Sequence, residues 1–156
     1  MNAPVTQGAD AAMFDPEAFR LTEKQAELCT RARAFGRRVL APRADKHDRE
    51  ASFPIENFRD MHGEGFLGLC VPEADGGIGA DFKTYMLTAA ELGRYCAATA
   101  LSWNMHVSST LWTGALADDL EMDEATRADH LKRRSVHYKR IVEDGAIEPV
   151  GDDEFE

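Results

Sequence analysis

The chain has 156 residues, 44% of them hydrophobic and 29% charged, which suffices for one domain with a core and falls short of two. Its 28 Asp and Glu against 18 Lys and Arg give a formal charge of −10, a balance that repels phosphate backbones and anionic membranes and so argues against a nucleic-acid partner. Cys29, Cys70 and Cys96 stand far apart with no CxxC spacing, which predicts buried thiols in a reducing cytoplasm rather than a metal or redox centre.

Residues 1–20 read as a mobile tail: Asp10, Asp15 and Glu17 replace the positive start and apolar run of a secretory signal. Thr22 and Gln25 have the spacing of a capping box, so a helix starts there, with Leu28, Ala32, Phe35 and Val39 on its inner face. Pro42 predicts a bend or a stop. A short second helix opens at Phe53-Pro54, with Ile55, Phe58, Met61 and His62 on one side. Gly63, Gly65 and Gly68 spell the letters GxGxxG, but they follow a helix instead of a strand, and Leu67 to Val71 reads as an extended run. The glycine-dense stretch 72–79 predicts a compact loop with no lysine for a phosphate cradle.

Asp81 is placed to cap a third helix carrying Tyr85, Ala89, Leu92 and Cys96. The fourth, from about Ala97 to Ala117, contains no Asp, Glu, Lys or Arg. It has one apolar stripe of Ala100, Trp103, Val107 and Leu111 and another of Leu101, Met105, Trp112 and Ala115, which predicts a helix covered on most sides. Its Thr, Ser, Asn and His residues argue against a membrane span. Asp123 caps a fifth helix to about Glu143, with Ala128, Leu131, Ser135, Tyr138 and Val142 as its expected inner stripe, and Gly145 ends it. The predicted fold is all-α, about five helices in an up-down or orthogonal bundle over residues 21–145, followed by an acidic tail, 146–156.

The five histidines show no HExxH and no paired spacing with cysteine, so no metal site is expected. The acids from Asp118 to Glu124 lack the order and turn glycine of a calcium loop. Lys132, Arg133, Arg134, Lys139 and Arg140 read as a surface or subunit contact. The more informative feature is polar residues inside the charge-free helix. Ala100, Asn104 and Ser108, at i, i+4 and i+8, share a face that either pairs internally with other helices or lines a ligand cavity. His106 points roughly 200° away from Asn104, so it does not serve the same wall.

Leu21-Thr22, Pro42, Asp48, Phe53-Pro54, Gly65 to Leu69 and Val71-Pro72-Glu73 with Gly76-Gly77-Ile78-Gly79, continued by Ala90 to Gly93 and His106 to Ser109, together resemble the N-terminal helical domain of acyl-CoA dehydrogenases. The resemblance implies a flavin enzyme, with FAD as cofactor, that desaturates an acyl-CoA thioester between its α and β carbons. It implies a middle β domain and a C-terminal helical bundle as partners, with homo-oligomers possible. Ala100, Leu101, Asn104 and Ser108 then match residues lining the acyl cavity, and no catalytic residue carries over. The flavin segment and the carboxylate base of the family have no counterpart in these 156 residues, so the expectation is a truncated chain, inactive alone. Two alternatives stand beside it: a flavin-dependent monooxygenase of the same fold, in which His106 would assist a flavin–oxygen intermediate if it faced the flavin, and a stand-alone helical protein-interaction module.

Overall fold

The computed structural model describes residues 11–147, and among them every regular element is helical and none is a strand. The helices are α1 (Glu23–Phe35), α2 (Ala41–Glu50), α3 (Ile55–Gly63), α4 (Phe82–Gly93), α5 (Ala97–Leu111) and α6 (Glu124–Lys139). Single π turns, Gly36–Leu40, Trp112–Leu116 and Arg140–Asp144, follow α1, α5 and α6; the first joins α1 to α2, and the second contains a kink at Gly114. The all-α expectation holds. The chain divides into two compact units, one of residues 11–53 with Lys83–Ala100, the other of Pro54–Phe82 with residues 101–147.

In the first unit α1 starts where the capping box predicts. The Gln25 amide donates to Thr22 Oγ1 at 3.2 Å and the Thr22 amide to Gln25 Oε1 at 3.1 Å. The same Gln25 side chain donates through Nε2 to Thr84 Oγ1 at 3.1 Å, tying α1 to α4. Leu28, Cys29, Ala32, Phe35 and Leu40 bury the inner face, with Tyr85, Leu87, Leu92 and Tyr95 completing this unit's apolar interior. The rod does not break at Pro42: the wider π turn Gly36–Leu40 comes just before it and relaxes the bonding that the proline ring and its missing N–H would disturb. Gly36 lies under the Tyr95 ring, where any β carbon would collide.

The segment before α1 is held by side chains of α4. Lys83 Nζ donates to the Phe19 and Arg20 carbonyls at 2.9 and 3.2 Å, and Arg94 donates to the Ala11 carbonyl at 3.0 Å. The Met13 amide donates to Glu91 Oε1 at 3.2 Å. Glu91 has no exposure to solvent, and Arg94 at 2.9 Å supplies its counter-charge. Residues 1–10 and 148–156, including most of the two expected tails, lie outside the described residues.

In the second unit the expected extended run, Leu67 to Val71, instead forms successive turns over residues 67–70. Its carbonyls are taken by a neighbouring loop: Ile78 N–H donates to Gly68 O, Gly79 N–H to Val71 O and Ala80 N–H to Leu69 O, at 3.1, 2.8 and 2.9 Å. Gly77 crosses against the Val71 backbone, leaving no space for a β carbon.

The inner face of α6 also differs from the expected stripe. Ala128, Leu131 and Ser135 are exposed, whereas Tyr138 and Ile141 are buried and His130 and Arg134 are half-buried. The reason is hydrogen bonding. At Gly114 the rod that continues α5 leaves helical geometry (φ −101°, ψ −106°), and α6 supplies donors to the carbonyls there. His130 Nε2 donates to Thr113 O at 3.0 Å and Tyr138 Oη to Thr110 O at 3.2 Å. A hydrophobic-periodicity argument selects apolar residues and so rotates the face wrongly. The start of α6 is as expected: Asp123 accepts from the Thr126 amide at 2.9 Å, and that bond, with one from the Thr126 hydroxyl, lowers its carboxyl pKa.

Candidate functional site

The charge-free helix is the candidate site, and its first turn explains how it forms without a charged cap. Cys96 precedes α5 and its sulfur accepts from the Thr99 amide at 3.5 Å, with the Thr99 hydroxyl 3.1 Å away. Beyond that turn, within the second unit, α5 presents two contrasting sides.

The inward side is anchored on the turns at 66–67. Trp103 and His106 are fully buried one turn apart. Trp103 Nε1 donates to Phe66 O at 3.0 Å and His106 Nε2 to Leu67 O at 3.0 Å. Because a carbonyl only accepts, the His106 proton on that bond sits on Nε2. His106 is therefore a structural donor bonded to backbone, and it is not free to serve a flavin–oxygen intermediate. Val107 and Thr110 complete this side, the Thr110 hydroxyl donating back to Val107 O at 2.8 Å.

The outward side is apolar and open. Leu101 is 65% exposed, Met105 54%, Trp112 71% and Leu116 59%. Asn104 and Ser108 are half-buried beside them. Ser108 Oγ donates to Met105 O at 2.8 Å, and Ser109 and Thr113 bond back to helix carbonyls in the same way. Their hydrogens are committed to the helix, which leaves acceptor lone pairs for a neighbour. Of the four residues expected at a cavity wall, Leu101, Asn104 and Ser108 lie along this side. Ala100, one residue earlier, is buried, with Gly93 close by in the first unit. The side chain of Ala115, expected in the outer stripe, lies outside the described residues.

The glycine amides that could face a diphosphate are already donating: Gly65 to His62 O at 2.9 Å, Gly76 to Glu73 O at 3.1 Å and Gly77 to Pro72 O at 3.1 Å. A cavity of about 90 Å³ is lined by His62, Gly65, Gly68, Gly76, Gly77, Ile78 and Val142, and two of these are joined where His62 Nε2 donates to Val142 O at 2.8 Å. Cys70, in the same turns, has its thiol pKa pushed up to about 12, first by burial and then by the Asp81 carboxylate, so it is a neutral thiol and no nucleophile. Among the described residues no cluster of three or more His, Cys, Asp or Glu is placed to hold a metal ion. No helix among them is long and apolar enough to cross a membrane.

Comparison with known proteins covers the same stretch. The family described as "Acyl-CoA dehydrogenase, N-terminal domain" matches residues 22–117. The chain is 34% identical over 90 residues to the probable acyl-CoA dehydrogenase YngJ of Bacillus subtilis, an alignment covering 58% of this chain and 24% of that protein. It is 33% identical over 100 residues to the human mitochondrial short-chain specific acyl-CoA dehydrogenase (64% and 24%). It is 36% identical over 89 residues to an acryloyl-CoA reductase (NADH) of Anaerotignum propionicum (57% and 23%). The matched stretch thus spans about a quarter of the length of these relatives. In fold it resembles a chain from a structure titled for the electron transferring flavoprotein of Acidaminococcus fermentans, with TM-score 0.66 and 23% identity over 83% of this chain and 31% of that one.

Proposed function

The chain belongs to the acyl-CoA dehydrogenase N-terminal domain family, and from that premise we propose that it supplies the helical wall of an active site that oxidises an acyl-CoA thioester with FAD. The outward side of α5 carries this reading, because a charge-free helix with Leu101, Met105 and Trp112 uncovered offers the apolar surface that an acyl chain requires. In this reading Ala100 and Leu101 begin the wall, Asn104 and Ser108 add its hydrogen-bonding positions, and none of the four handles a proton in the reaction.

The FAD would supply the hydride acceptor for α,β-desaturation, held by polypeptide outside these residues, as would the base that removes the α proton. The role of this chain is to exclude water and to orient the acyl group. Alone it is a wall without its opposite face, and the expected compartment is the cytoplasm, where its three free thiols stay reduced.

The test joins this chain to the remaining length of the Bacillus subtilis relative and follows dye reduction with acyl-CoAs. The 156-residue chain alone should be colourless and inactive, and the hybrid should turn over. Leu101→Arg in the hybrid should raise KM for acyl-CoA at least tenfold, since a guanidinium then occupies the acyl path. Turnover by the short chain, or a hybrid indifferent to Leu101→Arg, would sink the reading.

The same uncovered face favours one second reading, a helical module that docks on another protein, because exposed apolar patches of this kind recruit partners or copies of themselves. Light scattering that reports a monomer, with no chain captured in a pull-down, would leave that reading without support.

A further inference from the structure

The α6 helix takes no part in the function proposed above, and its charges are sorted by sign along the chain. Residues 118–126 carry Asp118, Asp119, Glu121, Asp123 and Glu124 with no Lys or Arg, whereas residues 130–142 carry Lys132, Arg133, Arg134, Lys139 and Arg140 with no Asp or Glu. The helix dipole favours acids in a first turn and bases in a last one, and its effect fades beyond those turns. Lys132 and Arg133 stand mid-helix, and Asp118, Asp119 and Glu121 precede the helix altogether, so the sorting extends further than the dipole asks.

The outward face is apolar where the charge changes sign. Glu124, Ala128, Leu131, Ser135 and Lys139 follow one another at helical spacing and all are exposed, Leu131 at 42%. Periodicity alone would turn this stripe inward. It faces out because His130 and Tyr138 are drawn to the carbonyls near the kink at Gly114. Arg134 and Asp118 pair within the unit and so stand apart from this face. Lys139 reaches Glu143 at 3.6 Å in an exposed i,i+4 pair, a contact weak enough to be exchanged for another carboxylate.

Reversed about its midpoint, the stripe complements itself. In an antiparallel pair Glu124 of each helix meets Lys139 of the other, Ala128 meets Ser135, and the two Leu131 side chains meet at the centre. The short side chains of Ala128 and Ser135 let the backbones approach, and a parallel pair would instead set Glu124 against Glu124.

We propose that the outward face of α6 docks a second copy of this chain, antiparallel about a two-fold axis at Leu131. The contact is isologous, so one surface serves both copies. The 16 residues of α6 make a strip about 24 Å long and about 10 Å across. That is less than the roughly 800 Å² per partner of a standard interface, so the dimer is a weak one that dissociates on dilution.

The test is sedimentation equilibrium of the 156-residue chain between roughly 10 μM and 1 mM. The average mass should rise from 17.3 kDa toward twice that value, and the rise should shrink with added salt. Leu131→Lys, Glu124→Lys and Lys139→Glu should each weaken association at least about tenfold. An equimolar mixture of the Glu124→Lys and Lys139→Glu chains should associate again, because each then faces the opposite charge; that recovery also shows that both variants are folded. Trp112→Ala, on the outward side of α5, should leave the dimer unchanged. A mass fixed at 17.3 kDa, association indifferent to the α6 variants, variants that do not recombine on mixing, or association lost in Trp112→Ala would overturn the proposal. A chain that dimerises only after residues 148–156 are removed would overturn it too, and would make that acidic segment the occupant of the basic half of α6.

Discussion

The inward and outward sides of α5 have nearly the same composition and opposite physical situations. Inward, Trp103 and His106 are fully buried and each polar hydrogen ends on a backbone carbonyl of the turns at 66–67. Outward, Leu101, Met105 and Trp112 are as apolar and remain uncovered. The difference teaches that lack of charge marks a helix that is to be covered, while only the placement of hydrogen-bond acceptors shows which side is covered within this chain.

The contrast can be broken most sharply with its two tryptophans. Trp103→Ala should cost about 3–5 kcal/mol in a urea melt, combining lost burial, a cavity and the loss of the indole bond to the Phe66 carbonyl. Trp112→Ala should fall within about 0.5 kcal/mol, as substitutions of exposed residues do. Equal losses would mean that α5 is covered on both sides in solution. Next in size, His106→Leu should cost about 1–3 kcal/mol by stranding the Leu67 carbonyl. Because the role assigned to His106 is donation and not charge, His106→Gln should recover part of that loss in the same melt.

A shallower effect concerns the turns that α5 caps. The Cys70 thiol ionises near 9.0 in the unfolded chain and near 12 in the folded one. Its neutral form is thus favoured by folding, the contribution is complete below pH 9, and it is lost as pH rises toward 12. Urea midpoints should fall across that window, and Cys70→Ser should flatten the fall. An unchanged slope, or rapid alkylation of the half-buried Cys70 in the native protein at pH 8, would contradict the raised thiol pKa. Smallest of all, Ser108→Ala should leave the stability of this chain nearly unchanged, since the hydroxyl bonds only to its own helix.

Local chemistry was the legible part of this fold. Thr22 with Gln25, and Asp123 with its helix, could be found from spacing because a cap involves residues three apart. Long-range demand was not legible. The turns over residues 67–70 exist because Ile78, Gly79 and Ala80 reach their carbonyls, and α6 turns His130 and Arg134 inward because the kink at Gly114 needs donors. For the candidate site, helical spacing is enough to group Asn104 with Ser108. It could not separate the buried Ala100 from the exposed Leu101, since both are apolar and differ only in what packs on them.

The grip of α4 on the preceding segment bears on how this chain should be trimmed or tagged. A version shortened to begin at Leu21, where the recognisable helix signal starts, would delete the Met13 amide from Glu91 and the Ala11 carbonyl from Arg94. A carboxylate that has no contact with solvent would then lose one of its two donors, and the shortened form would be expected to express less well than its disposable-looking leader suggests.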